Sequence, residues 1–281
     1  MFRVVSNEEI APLLHRMVIE APRVAKARKP GQFVIVHRAK GAERIPLTIA
    51  DDDVAAGTIT LIIQAVGIST RDIVAVPAGG FLADIAGPLG QPTEIENLGK
   101  VVCVGGGAGT AVLFPLAKGL AQAGNELTTI IGGRSAKYVI LEAELGAFSK
   151  RVFTTTEDGS AGETGFVTLP LKRILEDPDQ RPAAVYAVGP VPMMKAVCNL
   201  TKQYGVRTTV SLNPIMVDGT GMCGGCRVTV GGQLKFACVD GPEFDGHQVD
   251  FNELAGRQAT YQELDPHGCR LESQLAAMKK D

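Results

Sequence analysis

Three of the six cysteines lie close together in the last quarter of the chain, spaced Cys-x2-Cys-x11-Cys. An aspartate precedes the first of them at the position where plant-type iron–sulfur sites, Cys-x4-Cys-x2-Cys, carry another cysteine. The loop between these residues is rich in glycine, which lets backbone amides approach a bound group closely. We therefore predict a [2Fe–2S] cluster whose ligands are Asp218, Cys223, Cys226 and Cys238.

Two other interpretations of this spacing stay open, namely a zinc site and buried free thiols. Structural zinc sites usually take their second pair of ligands from another Cys-x2-Cys or from a His-x3–5-His, and neither follows here. Cys103 follows two valines and is expected to be a small buried hydrophobic residue. Cys198 and Cys269 have no partner that the sequence identifies, and the tail at 271–280 has the length of one helix.

The middle of the chain alternates short apolar runs with helical patterns. A strand at 100–104 leads into a glycine-rich turn, then into a helix that ends near Gly124 and a second strand at 127–131. This order places a helix N-terminus where it can hold a diphosphate. No acid ends the second strand, so the sequence leaves NADH and NADPH open. The candidate nucleotide contacts, including loops after later strands, are Gly106, Gly107, Gly109, Thr110, Gly132, Arg134, Asp158, Gly189 and Pro190.

The first third of the chain contains β-branched runs bounded by Gly, Pro and Asp, which predict a small barrel. Three of its loops, 30–33, 44–48 and 67–70, offer an arginine, hydroxyls and glycine amides near strand ends. Those groups suit a flavin and its diphosphate, although each loop alone is typical of ordinary turns. The run 82–90 is expected to be a linker to the next domain.

Composition narrows the classes of function. The chain has 281 residues, 45% of them hydrophobic, which is enough for two or three domains with full cores. Its net charge of -2 argues against a nucleic-acid partner, and no apolar run approaches the roughly 18 residues of a membrane span. Ligand thiols must stay reduced, so we expect a cytoplasmic protein.

The expected fold is a multidomain protein of the α+β and α/β classes. We predict an antiparallel FAD-binding β-barrel at 1–98 and a doubly wound parallel-sheet domain for the nucleotide at 99–205. A small domain for the cluster, with a C-terminal tail, is predicted at 206–281.

In order and spacing, these motifs resemble the ferredoxin–NADP reductase superfamily over nearly the whole chain. Within it, they are most similar to the group of electron-transfer subunits that contains those of dihydroorotate dehydrogenase. The family's Arg-Pro-Leu-Ser flavin motif falls on 45–48, so Arg44 stands one residue early and Thr48 keeps the hydroxyl. The flavin contacts that the resemblance implies are Arg44, Pro46, Leu47, Thr48, Ile62, Ile63, Gln64, Gly67, Ser69 and Thr70.

The resemblance implies FAD, a [2Fe–2S] cluster and NAD(H) or NADP(H) as cofactors. A hydride would pass between nucleotide and flavin, and single electrons between flavin and cluster, so we assign no catalytic acid or base. The family's Cys-Gly-Pro segment beside the nicotinamide reads Val188-Gly189-Pro190 here. Asp218 resembles the small subunits of NADH-dependent reduced ferredoxin:NADP oxidoreductases, which bifurcate electrons. Those subunits form heterodimers with a larger flavoprotein that carries [4Fe–4S] clusters and serves ferredoxin.

Three functions therefore stay open. The first is the NADH-linked subunit of an electron-bifurcating ferredoxin:NADP oxidoreductase. The second is an electron-transfer subunit that serves dihydroorotate dehydrogenase or sulfide dehydrogenase. The third belongs to another class, a non-catalytic assembly module that carries zinc on a reductase fold.

Overall fold

The computed structural model describes residues 1–259, so Cys269 and the expected tail helix lie outside the described residues. The first part of the chain contains seven strands and two short helices: β1 (Phe2–Ala11), β2 (Leu14–Glu20), α1 (Pro22–Ala27), β3 (Phe33–His37), β4 (Arg44–Asp53), β5 (Thr58–Gln64), α2 (Ile68–Val74), β6 (Phe81–Leu82) and β7 (Asp84–Leu89). The strands pair antiparallel in the order β6-β1-β2-β5-β4-β3-β7. This sheet curls into a nearly closed barrel, as the sequence predicted.

The barrel closes around alternating apolar side chains. In β5, Ile59, Leu61 and Ile63 are fully buried, whereas the residues between them are partly exposed. A strand points successive side chains to opposite faces, so this alternation fills the interior from one face. The other face of β5 is left for contacts outside the barrel.

The prediction of a linker at 82–90 is wrong, because this run forms strand β7 and the last residue of β6, which both belong to the barrel. β7 pairs antiparallel with β3, placing Ile85 opposite Val36. A Cβ on Gly87 would lie 2.8 Å from Val34 Cγ1, so glycine is needed where the two strands approach. Glycine and proline in this strand therefore serve packing, although in the sequence they are typical of a linker.

The second part of the chain builds a parallel sheet flanked by helices: β8 (Lys100–Gly106), α3 (Gly109–Gln122), β9 (Glu126–Gly133), α4 (Glu142–Gly146), β10 (Arg151–Thr156), β11 (Glu163–Thr164), α5 (Thr168–Glu176), β12 (Ala184–Val188), α6 (Val191–Gln203) and β13 (Arg207–Ser211). Both faces are covered, as parallel sheets require. α3 packs on one face through Leu113, Leu116 and Leu120, whereas α5 and α6 pack on the other.

The last described part contains a hairpin, a short strand and a helix: β14 (Arg227–Val230), β15 (Gln233–Phe236), β16 (Glu243–Asp245) and α7 (Phe251–Ala259). β16 pairs antiparallel with β13 and completes the order β11-β10-β9-β8-β12-β13-β16. Residues 212–242, which include all four predicted cluster ligands, thus lie between two paired strands of one sheet. We call this segment the cluster region. In the described part of the chain, no helix has the length and apolar character needed to cross a membrane.

Candidate functional site

A cleft of about 1210 Å³ lies between the barrel and the carboxyl edge of the parallel sheet. Open α/β sheets bind their ligands at this edge, and the volume exceeds that of a typical pocket for one small molecule. Predicted contacts from both halves of the molecule line it: Pro46, Leu47, Thr48, Ile62 and Gln64 from the barrel, and Gly106, Gly107, Gly109, Gly132, Arg134, Gly189 and Pro190 from the sheet.

The sheet wall of the cleft is built mainly from backbone. The Gly107 amide donates a hydrogen bond to the Gly132 carbonyl at 2.8 Å, which ties the turn after β8 to the end of β9. A Cβ on Gly109 would lie 2.6 Å from the Val188 carbonyl oxygen, so the turn and the end of β12 pack too closely for a side chain. Because α3 begins at this turn, its first amides face the same edge and can bind a diphosphate.

Two buried hydroxyl oxygens near this edge support a polar occupant. Thr110 Oγ1, in the first turn of α3, and Ser135 Oγ, just after β9, are buried without a hydrogen-bond partner among the described residues. Leaving a buried polar group unpaired costs about 1–3 kcal/mol. Neither residue itself lines the cleft, but each adjoins residues that do, Gly109 and Arg134, and a phosphorylated ligand fits this donor-rich edge.

The two acidic residues in the loop after β10, Glu157 and Asp158, have different surroundings. Glu157 lines the cleft, whereas Asp158 does not. The Asp158 carboxylate accepts hydrogen bonds from the Ser160 hydroxyl at 2.6 Å and the Ser160 amide at 3.0 Å. These bonds hold the pKa of Asp158 below its ordinary value. Asp158 therefore shapes its own loop, and Glu157 is the acid that reaches the cleft.

Some predicted flavin contacts on the barrel side also lie away from the cleft. Ile63 is fully buried in the barrel core, because it alternates with Ile62 and Gln64, which face the cleft. Arg44 is exposed at the start of β4. Neither side chain lines the cleft. Ile63 points into the barrel because successive residues of a strand face opposite sides, and Arg44 stands at the exposed first position of β4.

The hydroxyl pair after β5 is engaged with neighbouring residues. Ser69 donates a hydrogen bond to the Glu43 carboxylate. The Gly67 amide donates to Thr70 Oγ1 at 3.1 Å, and the Thr70 hydroxyl returns a bond to the Gly67 carbonyl at 3.1 Å. This reciprocal pair caps α2. None of these residues lines the cleft, so a flavin phosphate would have to bind beside the cap.

The predicted cluster ligands flank the hairpin β14–β15 and converge in part. Cys226 and Cys238 are buried and free, and their sulfurs lie 3.2 Å apart, well beyond a disulfide bond. Cys223 is exposed on the outer part of the loop. Within residues 1–259, no three His, Cys, Asp or Glu side chains converge as a ready-made site for one metal ion.

The surroundings of the sulfurs fit an iron–sulfur cluster. The Cys238 amide points at Cys226 Sγ at 3.5 Å, and the Gly225 amide points at Cys223 Sγ at 3.4 Å. Amide hydrogen bonds to sulfur are among the features that set cluster potentials. Burial raises the pKa of the Cys238 thiol to about 12, so a bound metal would displace a proton there.

Asp218 stabilises the loop 218–226, which carries three of the four predicted cluster ligands and is called the ligand loop below. One carboxylate oxygen accepts the Thr220 amide and the other accepts the Cys223 amide, each at 2.8 Å. These bonds hold the pKa of the Asp218 carboxyl below its ordinary value, and the bond from Thr220 has the largest effect. Each oxygen accepts one of these bonds and keeps further acceptor capacity. The carboxylate is therefore charged and fixed next to Cys223, as a ligand at this position would be.

One segment joins the cleft to the ligand loop. Leu212, Asn213, Pro214 and Met216 follow β13, line the cleft, and lead directly to Asp218. Met216 belongs to one hydrophobic core together with the buried Cys226 and Cys238 and with the barrel residues Phe33 and Ile35. The cleft and the cluster region are thus separated by a single apolar wall.

Some residues of the cleft lining carry no motif that sequence reasoning recognised. They are Tyr138, Phe166, Met193 and Met216. Met193 packs against the glycine turn, since a Cβ on Gly106 would lie 2.4 Å from its sulfur. The one available signal was position, because Phe166 and Met193 follow the loops after β10 and β12 at the carboxyl edge.

Comparison with known proteins agrees with this arrangement. The iron-sulfur cluster binding domain of dihydroorotate dehydrogenase B matches residues 213–250, the segment that contains all four predicted ligands. A dihydroorotate dehydrogenase B (NAD(+)) electron transfer subunit homolog of Thermotoga maritima is 46% identical over 260 residues, covering 92% of this chain and 91% of the relative. The corresponding electron transfer subunit of Bacillus velezensis is 34% identical and covers 88% of this chain and 96% of its own length.

A solved structure extends the likeness to three dimensions. It comes from work on flavin-based electron bifurcation by the NADH-dependent reduced ferredoxin-NADP oxidoreductase, and has a TM-score of 0.88 and 45% identity over 94% of both chains. Barrel, parallel sheet and cluster region therefore recur together in one relative. The chain belongs to the family of dihydroorotate dehydrogenase electron-transfer subunits and their homologues, oxidoreductase subunits within the ferredoxin–NADP reductase superfamily.

Proposed function

We propose that this chain passes electrons between NAD(H), FAD and a [2Fe–2S] cluster, as the NADH-linked subunit of an electron-bifurcating ferredoxin:NADP oxidoreductase. The observation that carries the proposal is the segment after β13, which lines the cleft and continues into the ligand loop. It gives two cofactor sites a common wall. The likeness at 45% identity to a structure studied for flavin-based electron bifurcation supports the finer assignment.

The flavin would lie on the barrel wall, on Pro46, Leu47 and Thr48 of β4 and beside Ile62 and Gln64 of β5. These residues lie on neighbouring strands, since β4 and β5 are paired. Leu47 and Ile62 offer apolar contact to a ring system, whereas Thr48 and Gln64 offer hydrogen bonds to its polar edge. Ser69 and Thr70 remain candidates for the flavin phosphates, together with Gly67, which precedes them, and Arg44, which follows Glu43, the hydrogen-bond partner of Ser69.

The nucleotide would lie on the sheet wall. Gly106, Gly107 and Gly109 bring the backbone and the N-terminus of α3 to its diphosphate. Gly189 and Pro190, at the end of β12, would hold the nicotinamide half next to the flavin. A flavin held there would supply the conversion between two-electron hydride transfer at the nicotinamide and one-electron transfer at the cluster. The protein holds the two rings together and excludes water from the apolar wall formed by Phe33 and Met216.

Asp218, Cys223, Cys226 and Cys238 are the proposed cluster ligands. Three sulfurs and one oxygen give a set of soft and hard donors. Cys226 and Cys238 would bind the cluster from the buried side. The cluster would lie on the barrel, because a Cβ on Gly219 would come within 2.7 Å of Leu89 in β7 and 2.9 Å of Ile35 in β3. The exposed side of Cys223 would face a partner.

The proposed partner is a larger flavoprotein subunit with [4Fe–4S] clusters, through which ferredoxin is served indirectly. Both relatives named as electron transfer subunits agree with a dependent role. Reduced ligand thiols require a reducing compartment, so we place the complex in the cytoplasm. No residue in the chain is assigned to acid–base catalysis.

A second function is favoured by one observation, the 34% identity to the dihydroorotate dehydrogenase B electron transfer subunit of Bacillus velezensis. Such a subunit would have the same cleft and cluster region but another partner. Asp218 in place of a cysteine is the sequence feature that argues against it.

The test is purification of the chain with its native partner, followed by cofactor analysis and activity assays. The proposal expects FAD and [2Fe–2S] absorption from this chain, [4Fe–4S] clusters in the partner, and a coupled reaction in which NADH and reduced ferredoxin are oxidised together while NADP is reduced, or the reverse of that reaction. A partner that oxidises dihydroorotate would replace the bifurcating assignment with the second function. A colourless, zinc-containing complex would overturn both.

A further inference from the structure

We propose that Glu157 makes the cleft selective for NADH, because its carboxylate accepts the hydroxyls of an unphosphorylated adenosine ribose and repels a 2′-phosphate. The inference rests on the proposed function, since it assigns a residue within the same nucleotide site. Three observations carry it: where the adenosine must lie, which acid stands there, and what that acid is free to do.

The topology of the sheet fixes where the adenosine must lie. The chain leaves β8 through α3 towards β9 and β10, whereas β12 and β13 lie on the other side of β8. The diphosphate belongs at the turn between β8 and α3. The wall shared with the cluster region follows β13, so the nicotinamide half must extend towards β12. The adenosine half must therefore extend over the ends of β9 and β10.

At the end of β9, where dinucleotide-binding folds usually place an acid for the ribose, the chain reads Gly132-Gly133-Arg134. The neighbouring strand supplies an acid instead. The Glu157 amide donates a hydrogen bond to the Gly133 carbonyl at 3.1 Å, which fixes Glu157 alongside the end of β9. Glu157 and Arg134 both line the cleft at this end.

The Glu157 carboxylate is available for a ligand. Among the described residues it forms no ion pair and accepts no hydrogen bond, whereas the adjacent Asp158 is bound to Ser160. A carboxylate can accept hydrogen bonds from two neighbouring ribose hydroxyls. The same charge disfavours a phosphate on the ribose, because like charges a few ångströms apart repel.

The cations at this end do not reverse the selection. The Lys137 ammonium lies 5.2 Å from the centre of the Tyr138 ring and is engaged there. Arg134 can lie flat on an adenine, a contact that NADH and NADPH offer equally. The electron transfer subunit of Bacillus velezensis is named for NAD(+), which agrees with this selection.

The first test compares NADH and NADPH as reductants of the flavin in the purified holoprotein. Wild type should prefer NADH in kcat/KM. Glu157→Gln should shift the ratio of the two nucleotides towards NADPH by about tenfold or more, the usual size of a lost charged hydrogen bond. Glu157→Asp, which keeps the charge, should retain the preference. Glu163→Gln removes a carboxylate from the neighbouring strand β11, where it pairs with Arg173, and should leave the ratio unchanged.

The second test isolates the adenosine end from the hydride step. ADP-ribose and its 2′-phosphorylated form should compete with NADH, the first more tightly in wild type, and Glu157→Gln should remove that difference. An unchanged ratio in Glu157→Gln, or an equal shift in Glu163→Gln, overturns the inference while leaving the proposed function in place. Failure of both nucleotides to reduce the wild-type flavin overturns the proposed function and the inference with it.

Discussion

The chain contains two glycine-rich loops, and they use glycine for different reasons. In the nucleotide loop after β8, Gly109 is needed because the end of β12 leaves no room for a Cβ. In the ligand loop, Gly219 has a φ of +74°, a left-handed conformation that favours glycine. The first loop is held by strands on both sides, whereas the second is held by its contact with the barrel and by the hydrogen bonds of Asp218.

Two loops of similar glycine content can therefore depend on a bound ligand to different degrees. The nucleotide loop is held by a hydrogen bond from Gly107 to Gly132 and by close packing of Gly109 against the end of β12. The ligand loop has the buried thiol of Cys226 in place, but Cys223 remains on the outside. The cluster should therefore be required for the shape of the second loop, and no cofactor for the shape of the first. Four substitutions test this contrast, in descending order of effect.

Cys238→Ala should abolish the cluster, because it removes one of the two buried sulfurs on which the loop is built. Iron content and the visible absorption of the cluster measure the loss, while flavin reduction by NADH should survive within about twofold. Cys198→Ala, which removes a buried thiol on α6, is the matched control and should keep its iron. Loss of nucleotide-driven flavin reduction in Cys238→Ala would show that the two loops are not independent.

Gly109→Ala should reverse the pattern, with cluster retained and nucleotide use lost. The added Cβ would displace the turn from Gly189, whose Cα would lie 2.7 Å away, and overpacking of this kind costs about 1–3 kcal/mol. We expect KM for NADH to rise at least about tenfold in steady-state assays. Gly146→Ala, where the nearest atom to an added Cβ is Val152 Cγ2 at 3.9 Å, an ordinary contact distance, is the control. A normal KM in Gly109→Ala would contradict the close packing.

Asp218→Cys should keep the cluster and change its reduction potential, because a thiolate replaces a harder oxygen donor. Potentiometric titration monitored by electron paramagnetic resonance measures the change. Asp218→Ala should also loosen the loop, since the Thr220 and Cys223 amides lose their acceptor. An unchanged potential in Asp218→Cys would leave the aspartate only its role in shaping the loop.

Glu243→Gln should have the smallest effect, visible only as a change in pH dependence. Glu243 lies on β16, which joins the cluster region to the sheet, and accepts a hydrogen bond from Thr93 Oγ1 at 2.7 Å. Burial raises the pKa of its carboxyl to about 7. The folded protein therefore holds a proton that the unfolded chain releases between about pH 4.3 and pH 7, and stability falls as pH rises through that window.

The glutamine variant has no such proton, so it should lose less stability than wild type between pH 5 and pH 8. A difference of the order of 2 kcal/mol is expected, measured from thermal unfolding at both pH values. Glu176→Gln, at an exposed position on α5, should follow the wild-type curve. Parallel curves for Glu243→Gln and wild type would show that the carboxyl is not titrating in this range.

Sequence reasoning predicted the barrel from β-branched runs bounded by turn residues, and the parallel sheet from apolar runs that lead into glycine turns. β5 is a β-branched run of the first kind, and β8 is a continuous apolar run before a glycine turn. It misassigned β7, since Gly87 and Pro88 are typical of linkers. It also gave no sign of β16, which is too short to show a period and is defined by its pairing with β13.

For the site, the predicted backbone contacts are ones that the structure brings to the cleft. Gly106, Gly109 and Gly189 line the cleft because strand topology brings the loops after β8 and β12 to one edge. Side chains are harder to predict, because their partners come from distant parts of the chain. Nothing in the sequence pairs Ser69 with Glu43, or places Met216 on the wall between cleft and cluster region.

The bracketing of the cluster region by β13 and β16 bears on how such proteins can evolve. A cofactor domain attached at a chain end can be gained or lost by fusion or truncation, without disturbing its neighbour. Here truncation before the ligand loop would also remove β16 and expose the backbone edge of β13. A descendant that abandoned the cluster would have to shorten the loop between the two strands and retain β16. In this fold, the region is therefore an insertion between two paired strands of one sheet.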